Sequence, residues 1–338
     1  MAPEAAPRPR LRPLLACLAG AATLTLAGFA LRVGGAGRGR VALAGRAAHP
    51  HAPSRAEGGG GMEGGGGGGG GAAGGTQVKR RDEASGLEYW LYTPAGHDAS
   101  AATRWPLLLF LHGAGESGRD LDDLISTGAT GCPPVELAHG RAAPSLAANF
   151  VVASPQTDRG WGDADRLAKL TNSLLGDAGL ALDPARLYAT GVSMGGAGCW
   201  TAGTTGLFAA IAPVCGAGSV PVRTPALSAN RQLQNPSTES ESVLVGAQAG
   251  SLDGVAVWAF HGANDAVVPV RVTDRAIEEL KRVRTSDAAE VKYSRYDEAP
   301  PPVGWEGYTG HASWIPAYRE DTGLFEWLLS HKVTPRVD

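Results

Sequence analysis

Between residues 105 and 262 the sequence returns five times to a short apolar run that closes at or just before glycine or proline. The runs are Leu107–Leu111, Phe150–Pro155, Arg186–Thr190, Phe208–Val214 and Val255–Phe260, and the first is apolar at every position. A strand exposed on one face alternates apolar and polar residues, so an uninterrupted run of this length means burial on both faces. Stretches of helix formers separate the runs: Leu121–Ile125, Asp165–Leu175, Met194–Thr201, Val270–Val283 and Ala317–Leu329. Strand and helix in alternation specify an α/β fold, with a mostly parallel central sheet and helices on both faces. Leu87–Tyr92 alternates weakly and reads as an antiparallel edge strand, and Val291–Tyr296 reads as a further strand.

The N-terminal quarter is a different material. Of 49 glycines, 21 fall in residues 1–75, and residues 58–75 alone hold 14. Such a stretch buries too little apolar surface to offset its ordering entropy, so residues 32–75 read as a disordered Gly-rich linker. Before it, Arg8, Arg10 and Arg12 precede 18 uncharged residues, Leu14–Leu31. Residues 1–31 thus suit a secretory signal peptide, and a retained membrane anchor through residues 14–31 is the second reading. An organelle transit peptide is the third, because residues 32–55 stay rich in arginine and alanine. The domain proper is expected over residues 76–338, with the polar segment 219–254 as an insertion or long surface loop.

Charge and cysteine usage exclude several classes. Thirty basic against 33 acidic residues give a net charge of −3, with no field for nucleic acid. Cys17, Cys132, Cys199 and Cys215 lack the paired short spacings of a metal site, so no metal or cofactor is expected. Cys199 and Cys215 are read either as a disulfide of a secreted domain or as buried thiols. His49 and His51 flank a proline in the linker and read as solvated.

The chemistry lies in Gly191-Val192-Ser193-Met194-Gly195, a Gly-x-Ser-x-Gly string that follows the third buried run and opens a helical stretch. That strand–turn–helix setting is what an exposed nucleophilic serine requires, with small residues on either side so that strand and helix can approach. A serine needs a base, and the base needs an orienting carboxylate, in the chain order Ser, Asp, His. Asp265 follows the fifth run and so leaves the carboxyl end of the sheet, and His311 lies in a loop after Val291–Tyr296 and before the last helix. His331 and Asp253 are poorer choices by position. An oxyanion would be met by the Met194 N–H at a helix N-terminus and by the Ala114 N–H in the glycine-rich loop 112–116. His112 reads as a structural hydrogen-bonding residue. Trp161 and Trp314 are substrate-binding candidates, with Trp200 and Trp305 behind them.

LLLFLHGAGESG at 107–118, VVASPQ at 151–156, Trp161, DPARLYATGVSMGGAGCW at 183–200, FAAIAPVCGAG at 208–218, VWAFHGANDAVVP at 257–269 and GHASW at 310–314 together carry a likeness. In that order they resemble the α/β-hydrolase superfamily, in particular carboxylesterases of the predicted-peptidase and phospholipase/carboxylesterase group. Feruloyl esterases and polyhydroxybutyrate depolymerase-like enzymes are relatives. The resemblance implies the α/β-hydrolase fold, a serine esterase acting on a small-molecule ester, the triad Ser193, Asp265 and His311, and oxyanion donors at Ala114 and Met194. Thioesterase or serine peptidase action on the same triad, and a non-catalytic hydrolase-fold binding module, are the alternatives. Ala312 stands where the group commonly has an acidic residue, and residues 219–254 are longer than the group would suggest. A fusion of residues 1–45 to a fluorescent reporter is expected to enter the secretory pathway; cytosolic fluorescence would refute the targeting readings.

Overall fold

A computed structural model describes residues 74–100, 102–126, 130–216, 251–284 and 289–333. The expected signal or anchor segment 1–31 with Cys17, nearly all of the linker 32–75 with His49 and His51, and most of the segment 219–254 lie outside the described residues. Within them run eight strands: β1 (Thr76–Asp82), β2 (Leu87–Thr93), β3 (Trp105–Leu111), β4 (Val151–Gln156), β5 (Leu182–Val192), β6 (Ala210–Val214), β7 (Ala256–Gly262) and β8 (Val291–Tyr296). The helices are α1 (Pro133–Ala138), α2 (Pro144–Asn149), α3 (Ala164–Gly176), α4 (Met194–Gly203), α5 (Arg271–Val283), α6 (Trp314–Ala317) and α7 (Leu324–Leu329).

The strands form one sheet in the order β1-β2-β4-β3-β5-β6-β7-β8. From β4 to β8 every neighbouring pair is parallel, and β1 and β2 add an antiparallel margin. The five runs expected to be doubly buried are so, apart from Arg186, which is half-buried and pairs with Asp183. On β3, Leu107, Leu109 and Leu111 face a layer built with Leu167, Leu170 and Leu174 of α3, Trp200 of α4 and Leu280 of α5. Leu108 and Phe110 point the other way, toward Val135 of α1, Leu146 of α2 and Phe325 of α7. The period-2 side-chain alternation of a strand thus feeds two cores at once.

Three expectations need correction. Leu87–Tyr92 is not an edge strand: β1 covers it, in register from Thr76 opposite Thr93 to Asp82 opposite Leu87. The sequence of β1, TQVKRRD, has one large apolar residue, so it gives no strand signal, and its charges suit a sheet edge. The expected helix over 317–329 is broken into α6, a 3-10 turn at Glu320–Thr322 and α7, because Gly323 adopts φ +72° and starts a new helix. Leu121–Ile125 winds as a 3-10 helix, capped by the Asp120 carboxylate accepting from the Asp122 N–H. Helices α1 and α2 each begin with proline and have only six residues, too short for a periodic signal.

Connections from β3 and β5 diverge: the chain after β3 runs to β4 on one side, and the chain after β5 runs to β6 on the other. A crevice opens at such a switch point, outside the carboxyl ends of the strands. There the backbones crowd. A Cβ on Gly195 would overlap the Leu111 carbonyl, and one on Gly196 would overlap the Val214 carbonyl. Gly195→Ala is expected to lose about 3 kcal/mol or more in urea unfolding, since a backbone carbonyl cannot swing aside. Gly96→Ala, with open space around it, should change stability by no more than about 0.5 kcal/mol.

Candidate active site

Ser193 closes β5 and caps α4 at φ +54° and ψ −114°, outside the regions an L-residue prefers. Its N–H donates to the Val214 carbonyl at 2.9 Å and its carbonyl accepts from the Ala197 N–H at 3.0 Å, so strand and helix hold the strained turn from both sides. Ser193 is partly exposed at the carboxyl end of β5.

The loop after β7 delivers Asp265 and the loop before α6 delivers His311, and the structure brings both to Ser193. His311 Nε2 lies 3.0 Å from Ser193 Oγ, and His311 Nδ1 lies 2.9 Å from Asp265 Oδ2. With Nδ1–H donating to the carboxylate, Nε2 is left as an acceptor for the serine O–H. Such a line can take the hydroxyl proton as the oxygen attacks an electrophile.

Asp265 has a buried side chain with four acceptor contacts satisfied. Oδ1 accepts the N–H groups of Val267 and Val268 at 2.8 and 2.9 Å. Oδ2 accepts His311 Nδ1–H and, at 3.1 Å, His261 Nε2. Burial pushes this carboxyl up, but the hydrogen bonds from His261 and His311 and the nearby charge outweigh it and hold it well below the usual carboxylate range. It is therefore ionised at neutral pH.

The two loops are stitched together. Asn264 Nδ2 donates to the Ala299 carbonyl at 3.2 Å while Asn264 Oδ1 accepts the Ala299 N–H at 2.9 Å. The Ala266 N–H donates to the Thr309 carbonyl at 2.9 Å. Ala312, where an acidic neighbour was expected, is buried and donates its N–H to the Pro300 carbonyl at 2.9 Å. The His311 ring meets the edge of Trp314 at 5.8 Å. Backbone and aromatic contacts orient the histidine loop without a carboxylate at 312.

Met194 is the first residue of α4, so its N–H has no partner one turn back. Ala114 opens a 3-10 turn, Ala114–Glu116, and is exposed. Ser117 Oγ approaches Met194 Sδ at 3.9 Å, which puts this loop beside the start of α4. The loop is braced from below. His112 Nδ1–H donates to the Gly113 carbonyl at 2.6 Å, and His112 Nε2 accepts the Thr157 N–H at 3.1 Å, the structural role expected of it. Gln156 Nε2 donates to the Glu116 and Asp120 carbonyls at 2.9 and 2.8 Å. The Glu116 carboxyl folds under the loop toward the Gly113 N–H, and burial pushes its pKa up.

Trp161 and Trp314, the substrate-binding candidates, both carry structural contacts. Both are buried, and their indole N–H groups are spent on the His112 and Thr130 carbonyls at 3.0 and 3.1 Å. Trp161 props the loop that holds Ala114, and Trp314 backs His311. Trp200 is core, and Trp305 is exposed against Tyr308. Cys132, Cys199 and Cys215 are buried free thiols, so the disulfide reading of Cys199 and Cys215 fails. No group of metal-ligating side chains occurs among the described residues. Sequence reasoning missed His261, Asn264 and Glu116. His261 alone left a signal: a polar residue ending the otherwise apolar run of β7.

The fold is that of the α/β-hydrolases. A thermostable esterase of known structure superposes with a TM-score of 0.53 at 25% identity over 76% of this chain. The match spans 63% of that esterase's length. A puromycin-hydrolyzing peptidase of Mycobacterium tuberculosis gives 0.49 at 17% identity, covering 77% of this chain and 41% of its own. Esterase 2 of Thermogutta terrifontis, phosphoramylated by tabun, gives 0.48 at 16% identity over 76% and 94%. No protein-family model matches the chain, and no curated protein matches its sequence.

Burial of His112 has a measurable consequence. Desolvation lowers its pKa from 6.5 to about 4, against the raising effect of its bond to Gly113. Between those values the unfolded chain binds a proton that the folded chain refuses, so stability falls as pH drops from about 6.5 to 4. The loss should approach about 3 kcal/mol in denaturant titrations, above the range in which Asp265 protonates, and should shrink in His112→Asn.

Proposed function

We propose that this protein is a serine hydrolase that cleaves carboxylic esters through an acyl-enzyme on Ser193. The reading is carried by the hydrogen-bonded line from Ser193 Oγ to His311 and on to Asp265, at 3.0 and 2.9 Å. The likeness to a thermostable esterase at 25% identity supports an ester as the substrate.

In this mechanism Ser193 Oγ attacks the ester carbonyl carbon while His311 Nε2 takes the hydroxyl proton. The imidazolium that forms is stabilised by the ionised Asp265, whose own place is held by the Val267 and Val268 amides. Negative charge moves to the carbonyl oxygen, where the Met194 and Ala114 N–H groups receive it. Bracing by His112, Trp161 and Gln156 keeps the second donor loop from relaxing as that charge appears. His311 gives its proton to the leaving alkoxide, and the alcohol departs. Water then attacks the acyl-enzyme with His311 as base, releasing the acid and restoring Ser193. Atoms and charge balance at each step without a cofactor.

Esters rank above peptides because an amine leaving group demands stronger acid assistance and an extended backbone-binding edge. The two edge strands of the sheet, β1 and β8, lie four and three positions away from β5 in the sheet order. Delivery to the secretory pathway, by residues 1–31 as signal or anchor, belongs to the same proposal.

A fluorophosphonate probe is expected to label the wild-type protein and not Ser193→Ala; undiminished labelling of the variant would sink the assignment. Ser193→Ala and His311→Ala should each lower kcat on a short acyl nitrophenyl ester by at least about 10³-fold. Turnover of an acyl thioester and a blocked peptide amide should fall below that of the ester.

A further inference from the structure

Asp265 is shared between two imidazoles, and only one of them meets the serine. His261, the penultimate residue of β7, is fully buried. Its Nε2 faces two acceptors, Asp265 Oδ2 at 3.1 Å and the Val268 carbonyl at 2.9 Å. An imidazole nitrogen between two acceptors must carry hydrogen. Its Nδ1 lies 2.8 Å from the Thr273 hydroxyl on α5, which can supply the hydrogen that Nδ1 then accepts. The other acceptor open to that hydroxyl, the Gly216 carbonyl, is more distant at 3.4 Å. The two acceptors thus fix the His261 tautomer that points its proton at Asp265, and Thr273 complements it by donating to Nδ1.

Two backbone amides on Oδ1 hold Asp265 independently of His261. What His261 changes is the charge that Oδ2 presents. A second donor on the same oxygen draws on its negative potential, and in a buried site little solvent screens the effect. The rest of the surroundings is quiet. Around His311 stand Ser193, the Trp314 ring edge and the buried Ser313. The nearby Cys215 thiol is kept neutral by burial, which pushes its pKa up. Arg295 of β8, in register with His261, turns its guanidinium to Asp274 at 3.2 Å.

We propose that His261, its Nε2–H fixed between Asp265 and the Val268 carbonyl and polarised by Thr273 on Nδ1, is a positioning residue that divides the charge of Asp265 and so limits how tightly His311 holds a proton. The inference rests on the serine-hydrolase reading. A base that stays protonated at the working pH cannot accept the serine proton, so holding His311 basicity down widens the pH range of activity. Removing the His261 N–H would leave Asp265 with one imidazole, and His311 would keep its proton to higher pH.

The test is the pH profile of kcat/KM on a nitrophenyl ester for wild type, His261→Phe, His261→Gln and Thr273→Val, with thermal midpoint and fluorophosphonate labelling measured alongside. His261→Phe should move the acid limb up by about half a pH unit or more, which reads below the limb as about a threefold loss. Thr273→Val should move it the same way by less. His261→Gln, whose side-chain amide N–H can reach Oδ2, should restore the limb toward wild type. An acid limb that stays in place or moves down in His261→Phe, with kcat and thermal midpoint falling together, would mean a structural role only and overturns the inference. If His261→Phe does not fold, the limb of Thr273→Val decides by the same criterion. Labelling that survives Ser193→Ala would instead sink the hydrolase reading itself.

Discussion

Ser193 is held at φ +54° by a strand that ends against it and a helix that begins from it, and the rest of the molecule is arranged so that this turn cannot relax. The restraint is steric before it is electrostatic. Gly191, Gly195 and Gly196 lie where any Cβ would overlap the Leu111, Val214 or Gly195 backbone. Because β5 sits between β3 and β6, the layers on both sides of the sheet press on the same point. A strained conformation of this kind survives only where its surroundings over-determine it.

Around that fixed oxygen the polar groups form two supports of different kind. Asp265 is satisfied at both oxygens, which keeps it charged in a buried place where an unpaired carboxylate would be costly. The loop of Ala114 is held through backbone carbonyls, by His112, Trp161 and Gln156, so these side chains take up none of its amides. One support fixes a charge, and the other fixes a direction. Catalytic donors are effective when they need not reorganise as charge develops, and under the proposed mechanism both supports would serve that end.

Much of this was legible in the chain. The doubly buried runs announced the parallel strands because burial on both faces leaves no polar position. The spacing around Ser193 announced the turn because glycines were needed there. Asp265 and His311 followed from chain order and from the rule that open α/β sheets work at their carboxyl ends. The margin strand Thr76–Asp82 was not legible, since an edge strand half in solvent needs no apolar residues. Nor was the break at Gly323, where one left-handed residue divides a stretch that composition alone reads as continuous helix. The structural bonds of Trp161 and Trp314 were not legible either, since an indole N–H finds its carbonyl partner only in the folded chain.

By itself the sequence determined the layered α/β architecture, the serine on its turn and the set of residues able to serve it, because these depend on local periodicity and on steric needs within a few positions. Tertiary structure alone decided how the set is wired. Residues 261, 265, 273 and 311 come from β7, two loops and α5, and no spacing rule joins them. Only the folded chain puts His261 and His311 on one carboxylate oxygen, since that contact depends on where three separate elements end in space.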